Sequence, residues 1–294
     1  TYTNTFNDKH FVEVLAGHEN YDYTFSVQAI SKQDQILAGN TELDNFVTIS
    51  SASGRVDRDR IESYFSRLNY VYDDKYSFSA SLRADGSSRF APESRWGNFF
   101  SVGGAWNIDK ETFFSSNFFQ MLKLRASYGQ TGFDNLGVRW PYLEQWNYNG
   151  RSRLGISGEG AEQSPYTWYS QTVVGNPNVQ WEQSEKYNVG VDFEFLKGFI
   201  KGKADFFTDN RSKILLANRS DVPTYFGATP PVANLGAVKS SGYELELHLN
   251  KSVRNFRFWT DLNMTHTQNK IIDAANPELL PDYQKSEGMQ INQA

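Results

Sequence analysis

Four histidines, two close pairs of carboxylates, a glycine-rich stretch and a loop crowded with aromatic rings are the groups in this chain whose types could do chemistry. His10, His18, His248 or His266 would serve as a general base if a carboxylate oriented it. His18 reads as part of a short turn and His248 as the end of a strand. His266 lies near the opposite rim, with Asp261 on the other pleat parity, so the spacing offers no dyad. Asp57-Arg58-Asp59 and Asp73-Asp74 lack the further ligands and the glycine of a calcium loop. Gly155, Gly158 and Gly160 have neither a preceding strand nor a following helix to build a phosphate cradle. The chain has no cysteine, hence no thiolate site, and no cofactor or metal is expected. What remains is the stretch 130–182, where aromatic rings stand among Gly, Ser and Asn. Trp140, Tyr142, Trp146, Tyr148, Trp168 and Tyr169 are the candidate ligand-binding residues, with Tyr166 among them in sequence. Such rings stack on sugars or on peptide side chains, and the same rings would also pack a long loop against itself.

The elements that must carry this loop announce themselves by a period of two. Tyr76, Phe78, Ala80, Leu82 and Ala84 interleave with Ser77, Ser79, Ser81, Arg83 and Asp85, so an extended strand there has one apolar and one polar face. Leu122–Tyr128, Tyr187–Phe195 and Tyr243–Leu249 repeat the beat. Ten strands are predicted, over 9–16, 21–31, 61–72, 76–85, 97–107, 121–129, 183–196, 199–209, 238–249 and 255–269. The connections Gly17 to Asn20, Asp73 to Lys75, Lys197-Gly198 and Asn250 to Arg254 are short, and 108–120 is of moderate length with room for a helical turn. The segments 32–60, 86–96, 130–182, 210–237 and 270–294 are long. Every second connection is long, which is the habit of a transmembrane β-barrel with short turns on one side and long loops on the other.

Composition agrees with that reading. Mean hydropathy is -0.59, and no apolar run approaches the ~20 residues of a membrane helix, but barrel strands need only alternate residues apolar. Aromatics make up 15% of the chain, the excess that girdles at two membrane interfaces consume. Tyr64, Tyr72, Tyr76, Tyr128, Tyr187 and Tyr243 fall near strand ends as girdle candidates. The opposite faces carry Arg67, Asn69, Arg83, Asp85, Lys123, Arg125, Asp192, Glu194, Glu244, Glu246 and Asp261, a wet lumen of both signs or one paired with a plug. A net charge of -5 without a basic stripe leaves no footprint for nucleic acid. A soluble aromatic-rich β protein alternates too, and a ten-stranded outer-membrane protease has this length, but the histidines are misplaced for the latter. Both ends look cut, so an internal piece of a longer protein is expected.

Three segments resemble a known family. Arg83-Ala84-Asp85-Gly86-Ser87-Ser88-Arg89-Phe90 with Trp96-Gly97 and Trp106 is similar to the strand-loop-strand hallmark of SusC/RagA-type TonB-dependent transporters of Bacteroidetes. Leu122 to Gly132 is similar to the next hallmark strand. Gly175-Asn176-Pro177-Asn178-Val179-Gln180-Trp181-Glu182 followed by Asn188 to Asp192 is similar to the third. Phe133 departs from the pattern, where Asn is commoner. The resemblance implies an antiparallel outer-membrane barrel of 22 strands, of which residues 1–294 supply about ten within one domain. It also implies a plug domain and a TonB-contacting segment that this sequence does not contain. As partners it implies a SusD-like surface lipoprotein acting as a lid, the remaining barrel and plug segments, TonB, ExbB and ExbD, outer-membrane lipid, and an imported oligosaccharide or oligopeptide. A passive barrel or adhesin shares the fold but needs no plug, lid or energy source. The hallmark residues have local reasons as well. Asp85-Gly86-Ser87-Ser88 is turn chemistry, Arg83 and Arg89 read as structural partners of loop carboxylates, and Gly175-Asn176-Pro177 stops the loop before a strand.

Overall fold

The structure, a computed structural model, describes residues 1–114, 116, 118–135, 137, 139–151, 167–216, 222, 227–277 and 279–291. Twelve strands are present among the described residues: β1 (Tyr2–Phe6), β2 (His10–Gln35), β3 (Phe46–Tyr72), β4 (Tyr76–Ser87), β5 (Trp96–Asn107), β6 (Phe119–Phe133), β7 (Gln145–Arg151), β8 (Thr167–Val173), β9 (Glu182–Phe195), β10 (Ile200–Leu216), β11 (Ala233–Val253) and β12 (Phe256–Asp273). Ten of them form one sheet in the order β1-β2-β3-β4-β5-β6-β9-β10-β11-β12, and β7 and β8 pair as a separate hairpin. Each neighbouring pair in the large sheet is antiparallel.

Short turns gather at one end because the residues there accept left-handed backbone. Asn7-Asp8 and Asp73-Asp74 are both at φ between 51° and 55°, as two-residue hairpin turns matching the sheet twist require. The expected turn at Gly17 to Asn20 does not exist. Residues 9–16 and 21–31 belong to one strand, β2, and the turn at this end is Asn7 to Lys9. Gly17 is there for space: a Cβ on it would stand 2.5 Å from Cζ of Phe65 on β3. His18 therefore sits in mid-strand, opposite Tyr64, instead of in a turn. The long loop expected over 32–60 is also mostly strand. β2 and β3 pair as far as Gln35 and Phe46, well past the last β3–β4 pair at Ile61 and Ser87. Asn45 ties the tip, bonding Leu37 and Asn40 carbonyls at 2.8 Å each. The β11–β12 turn is tighter than expected, with strand running to Val253. A 3₁₀ turn occupies Ile108–Lys110 in the moderate connection.

The two faces of the sheet differ in kind. Val14, Leu68, Phe78, Leu82, Phe100, Leu124, Val189, Phe206, Leu262 and Met264 are exposed on one of them. Phe90, Ala91, Phe99, Val179 and Trp181, together with Pro141, are the buried apolar side chains among the described residues. A soluble sandwich would cover its apolar face with a second layer. Here the face lies open, and hydrocarbon is the solvent that suits it.

Rings border this face at both ends. Toward the long loops His18 lies 4.7 Å from Tyr64, Tyr128 4.7 Å from Tyr187, and Tyr243 5.3 Å from His266. Toward the short turns Tyr72, Tyr76 and Trp106 stack in a row at 6.4 and 6.3 Å. Tyr64 and Tyr72 are eight residues apart, as are Tyr187 and Phe195. That is about 27 Å along a strand and about 20 Å across a membrane at ~40° tilt, close to the apolar band of outer-membrane barrels.

Candidate functional site

The opposite face is a wall of charge. Arg125 on β6 donates to Asp192 of β9 at 2.8 and 3.0 Å and to Asp205 of β10 at 3.0 Å. Lys201 reaches Glu194 at 2.9 Å, Lys203 reaches Glu246 at 3.6 Å, and Arg67 reaches Glu13 at 3.1 Å. Arg83, expected to partner loop carboxylates, bonds the strand carboxylates Asp85 and Glu19 and Ser63 instead. Asp261 is on this face, on the opposite parity from His266 as expected, directly across from His248, whose Nδ1 it bonds. All these positions share one pleat parity, so the sheet turns a polar, ion-paired surface toward one side and its apolar surface toward the other.

At the long-loop end this wall supports a small core. Phe99 projects from β5, and Trp181, just before β9, packs on it edge-on at 5.6 Å while lying 5.4 Å from Phe90. Val179 completes the buried cluster, with Leu215 and Val232 against it. Trp181 Nε1 donates to the Arg95 carbonyl at 2.9 Å, and Ser94 Oγ to the Pro177 carbonyl at 3.1 Å. Three separate connections are thereby fastened together at one mouth.

A polar latch lies beside it. Arg89 meets Asp59 at 3.0 Å, the Asp134 carbonyl at 3.2 Å and Asn135 Oδ1 at 2.9 Å. Arg139 meets Asp57 and Asp59, each at 3.2 Å, and Ser87 Oγ donates to Asp134 at 2.8 Å. Arg89, read as a structural partner of loop carboxylates, pairs instead with a strand carboxylate, Asp59 of β3, and bonds the loop at Asp134 and Asn135. Asp57 and Asp59 are occupied by arginines. Among the described residues no group of acids and histidines is arranged to hold a metal.

From this base rises the β7/β8 hairpin. Asn176 N donates to the Pro141 carbonyl at 2.9 Å, and its Nδ2 to the Val232 carbonyl at 2.8 Å. Gly175 approaches the 142–144 backbone so closely that a Cβ would lie 2.5 Å from the Tyr142 carbonyl oxygen. Thr229 N donates to the Thr172 carbonyl at 3.1 Å, joining the loop before β11 to the hairpin. On the hairpin Tyr148 pairs with Tyr169, rings 5.5 Å apart, and Trp146 pairs with Gln171. Trp146, Tyr148 and Tyr169 share a face and are each 57–60% exposed. Trp146 Nε1 donates to Glu144 at 3.3 Å. Trp140, at φ 50°, and Tyr142 are half-buried at the hairpin's foot, apart from the exposed rings. Trp168 is described by its backbone in β8, and Tyr166 lies outside the described residues. The structure therefore groups three of the six candidates. It adds Glu144 and the Arg139 latch, which carried no periodic or motif signal in the sequence.

An open antiparallel sheet with one lipid-suited face, two aromatic borders, long loops at one end and an ion-paired inner wall is a segment of a transmembrane β-barrel. The chain belongs to the family described as TonB dependent receptor-like, beta-barrel, which it matches over residues 1–293. It is 33% identical over 218 residues to the TonB-dependent receptor SusC of Bacteroides thetaiotaomicron, covering 73% of this chain and 21% of that protein. It is 28% identical over 283 residues to the TonB-dependent receptor P39 of Formosa agariphila, covering 94% of this chain and 26% of that one. Its fold is similar to the RagAB peptide transporter, with a TM-score of 0.81 at 24% identity over 98% of this chain and 31% of that chain. It is similar, more distantly, to the outer membrane transporter YddB from Escherichia coli, at 0.57 and 11%, covering 92% and 32%. The chain spans about a quarter of the length of the curated relatives it matches. Barrels of this family reside in the outer membrane, so the short-turn end is periplasmic and the β7/β8 hairpin extracellular.

Proposed function

We propose that residues 1–294 are part of the barrel domain of an energised importer of oligosaccharides or oligopeptides. In this reading further strands complete a barrel of 22, a plug fills its lumen, TonB, ExbB and ExbD supply energy, and a SusD-like lipoprotein closes the extracellular mouth. The observation that carries the reading is the exposed trio Trp146, Tyr148 and Tyr169, held together on a hairpin braced at its foot. Exposed rings on a rigid base bind planar or apolar ligand surfaces with little ordering cost. The similarity to SusC and to the RagAB peptide transporter supports import as the purpose.

Uptake by the full-length receptor in cells tests it. Replacing Trp146, Tyr148 and Tyr169 with Ala should weaken substrate capture at least tenfold and leave barrel assembly intact. Substituting Trp140 and Trp168 extends the test to the other candidates. Uptake that is unchanged removes the hairpin from the mechanism. Uptake that persists without TonB would establish the passive barrel instead.

A further inference from the structure

On the lipid-facing side, near the extracellular end, Lys239 of β11 stands directly opposite Lys270 of β12. The register is unbroken from the Val253–Phe256 pair to the Val238–Ile271 pair, so both lysines share the face of Tyr243 and His266, four residues below. Both are exposed. Directly opposed side chains have Cβ atoms about 4.5–5.5 Å apart, and like charges so placed destabilise a sheet. In the described ladders of the large sheet this is the one place where lysine faces lysine.

On the lumen side two lysines face acids directly, Lys201 with Glu194 and Lys203 with Glu246. Here none does so among the described residues. On the same face Glu185 is two strands away, about 10 Å, and accepts from Gln130. Asp273 accepts from Ala275 N, and Glu287 is held by Asn276 and Ala274. Asn210, paired with Lys239 on its other side, is a neutral hydrogen-bonding neighbour.

Height decides which anion fits. Aromatic borders mark the headgroup level, and four residues place the lysines about 13 Å further along the strand, or about 10 Å higher. Their flexible stems let the ammonium groups lean back toward that level. We propose that Lys239 and Lys270 together hold a phosphate of an outer-leaflet lipid headgroup, fastening the barrel to its surrounding membrane. A single phosphate between the two ammonium groups converts a repulsion into two charge-assisted contacts.

The test uses the purified full-length receptor in detergent, with thermal unfolding and co-purified lipid as readouts. Phosphorylated lipid A should raise the wild-type unfolding temperature and remain bound through size exclusion. The K239Q/K270Q double variant should lose both effects. Without added lipid it should be at least as stable as wild type, because the repulsion is gone. Dephosphorylated lipid A giving the same rise would overturn the phosphate assignment. Inorganic phosphate giving it at equal phosphate concentration would mean a free anion and overturn the lipid. A double variant that binds as wild type does, or a wild type that lipid A leaves unmoved, would remove the site.

Discussion

The ring of Phe99 occupies the space a side chain on Gly132 would need: a Cβ there would lie 2.0 Å from Phe99 Cζ. Gly97 is under the same constraint, at 2.6 Å from that atom and 2.9 Å from Cδ1 of Trp181. The β5–β6 ladder reaches only Ser101 and Gly129, and above it Phe99 is wedged against β6. G132A should displace Phe99 from Trp181 and Phe90 and cost about 1–3 kcal/mol, the range for overpacking a filled core. The loss should be local. Amide exchange in residues 174–181 should quicken, while exchange in β9–β11 stays as it was.

Among the described residues Arg125 is the one cation shared by Asp192 and Asp205. Both carboxylates are mostly covered, at 15% and 16% exposure, so removing their partner leaves two like charges together. R125M should destabilise the barrel by about 1–3 kcal/mol, less than for a fully dry pair because the guanidinium is 29% exposed. The triple variant R125M/D192N/D205N should recover most of that. Urea unfolding of the full-length receptor in lipid vesicles measures both.

How much of this was legible follows from which residues carry a period. Alternation at 76–85, 122–128, 187–195 and 243–249 gave the faces, and the lumen charges and ring positions all stand where parity puts them. Gly17-His18-Glu19-Asn20 misled because turn composition and a strand glycine look alike until the facing Phe65 is known. The rest of the β2–β3 extension was hidden for a related reason: 21–31 was read as strand, but Lys32–Gln35 and Phe46–Arg60 pair only within this hairpin, so no single buried face imposes an apolar pattern on them. The mouth core was partly visible in the motif residues Phe90 and Trp181, but their meeting joins segments some 90 residues apart. Arg139, Asp57 and Asp59 meet over a similar distance, and no local rule reports such a contact.

At the periplasmic end Glu111 accepts from the Tyr76 hydroxyl and from Trp106 Nε1 at 3.1 Å, with Lys75 at 3.4 Å. The Tyr76 bond above all, then those from Trp106 and Lys75, hold its carboxyl below the usual carboxylate range despite its burial. The sign follows from linkage: a folded pKa below the unfolded value of about 4.3 stabilises the fold above that pH, and the contribution is lost as pH falls through the folded value. E111Q keeps an acceptor but cannot titrate. The unfolding temperature of wild type should exceed that of E111Q at pH 7, and the gap should close between pH 4.3 and lower. A gap that is constant from pH 7 to pH 3 would show that the ionised form of Glu111 is not what the turn uses.

Asp59 binds the β2–β3 extension to the extracellular mouth, since Arg89 and Arg139 come to it from two different connections. It is 5% exposed, so neutralising it leaves two partly covered guanidinium groups, at 16% and 30% exposure, short of a counter-charge. D59N should loosen the latch by about 1–3 kcal/mol, less than for a fully dry pair because the arginines keep some exposure. Salt should change that figure little, because buried pairs are poorly screened. The Arg60–Asp22 pair on the same hairpin is a control, with both side chains at least 47% exposed at 2.7 Å separation. R60Q should cost under about 1 kcal/mol, and less still in high salt. Hydrogen exchange over residues 46–60 separates the two variants. If D59N leaves those amides as protected as R60Q does, the extension stands without the latch, and the arginines serve the loops alone.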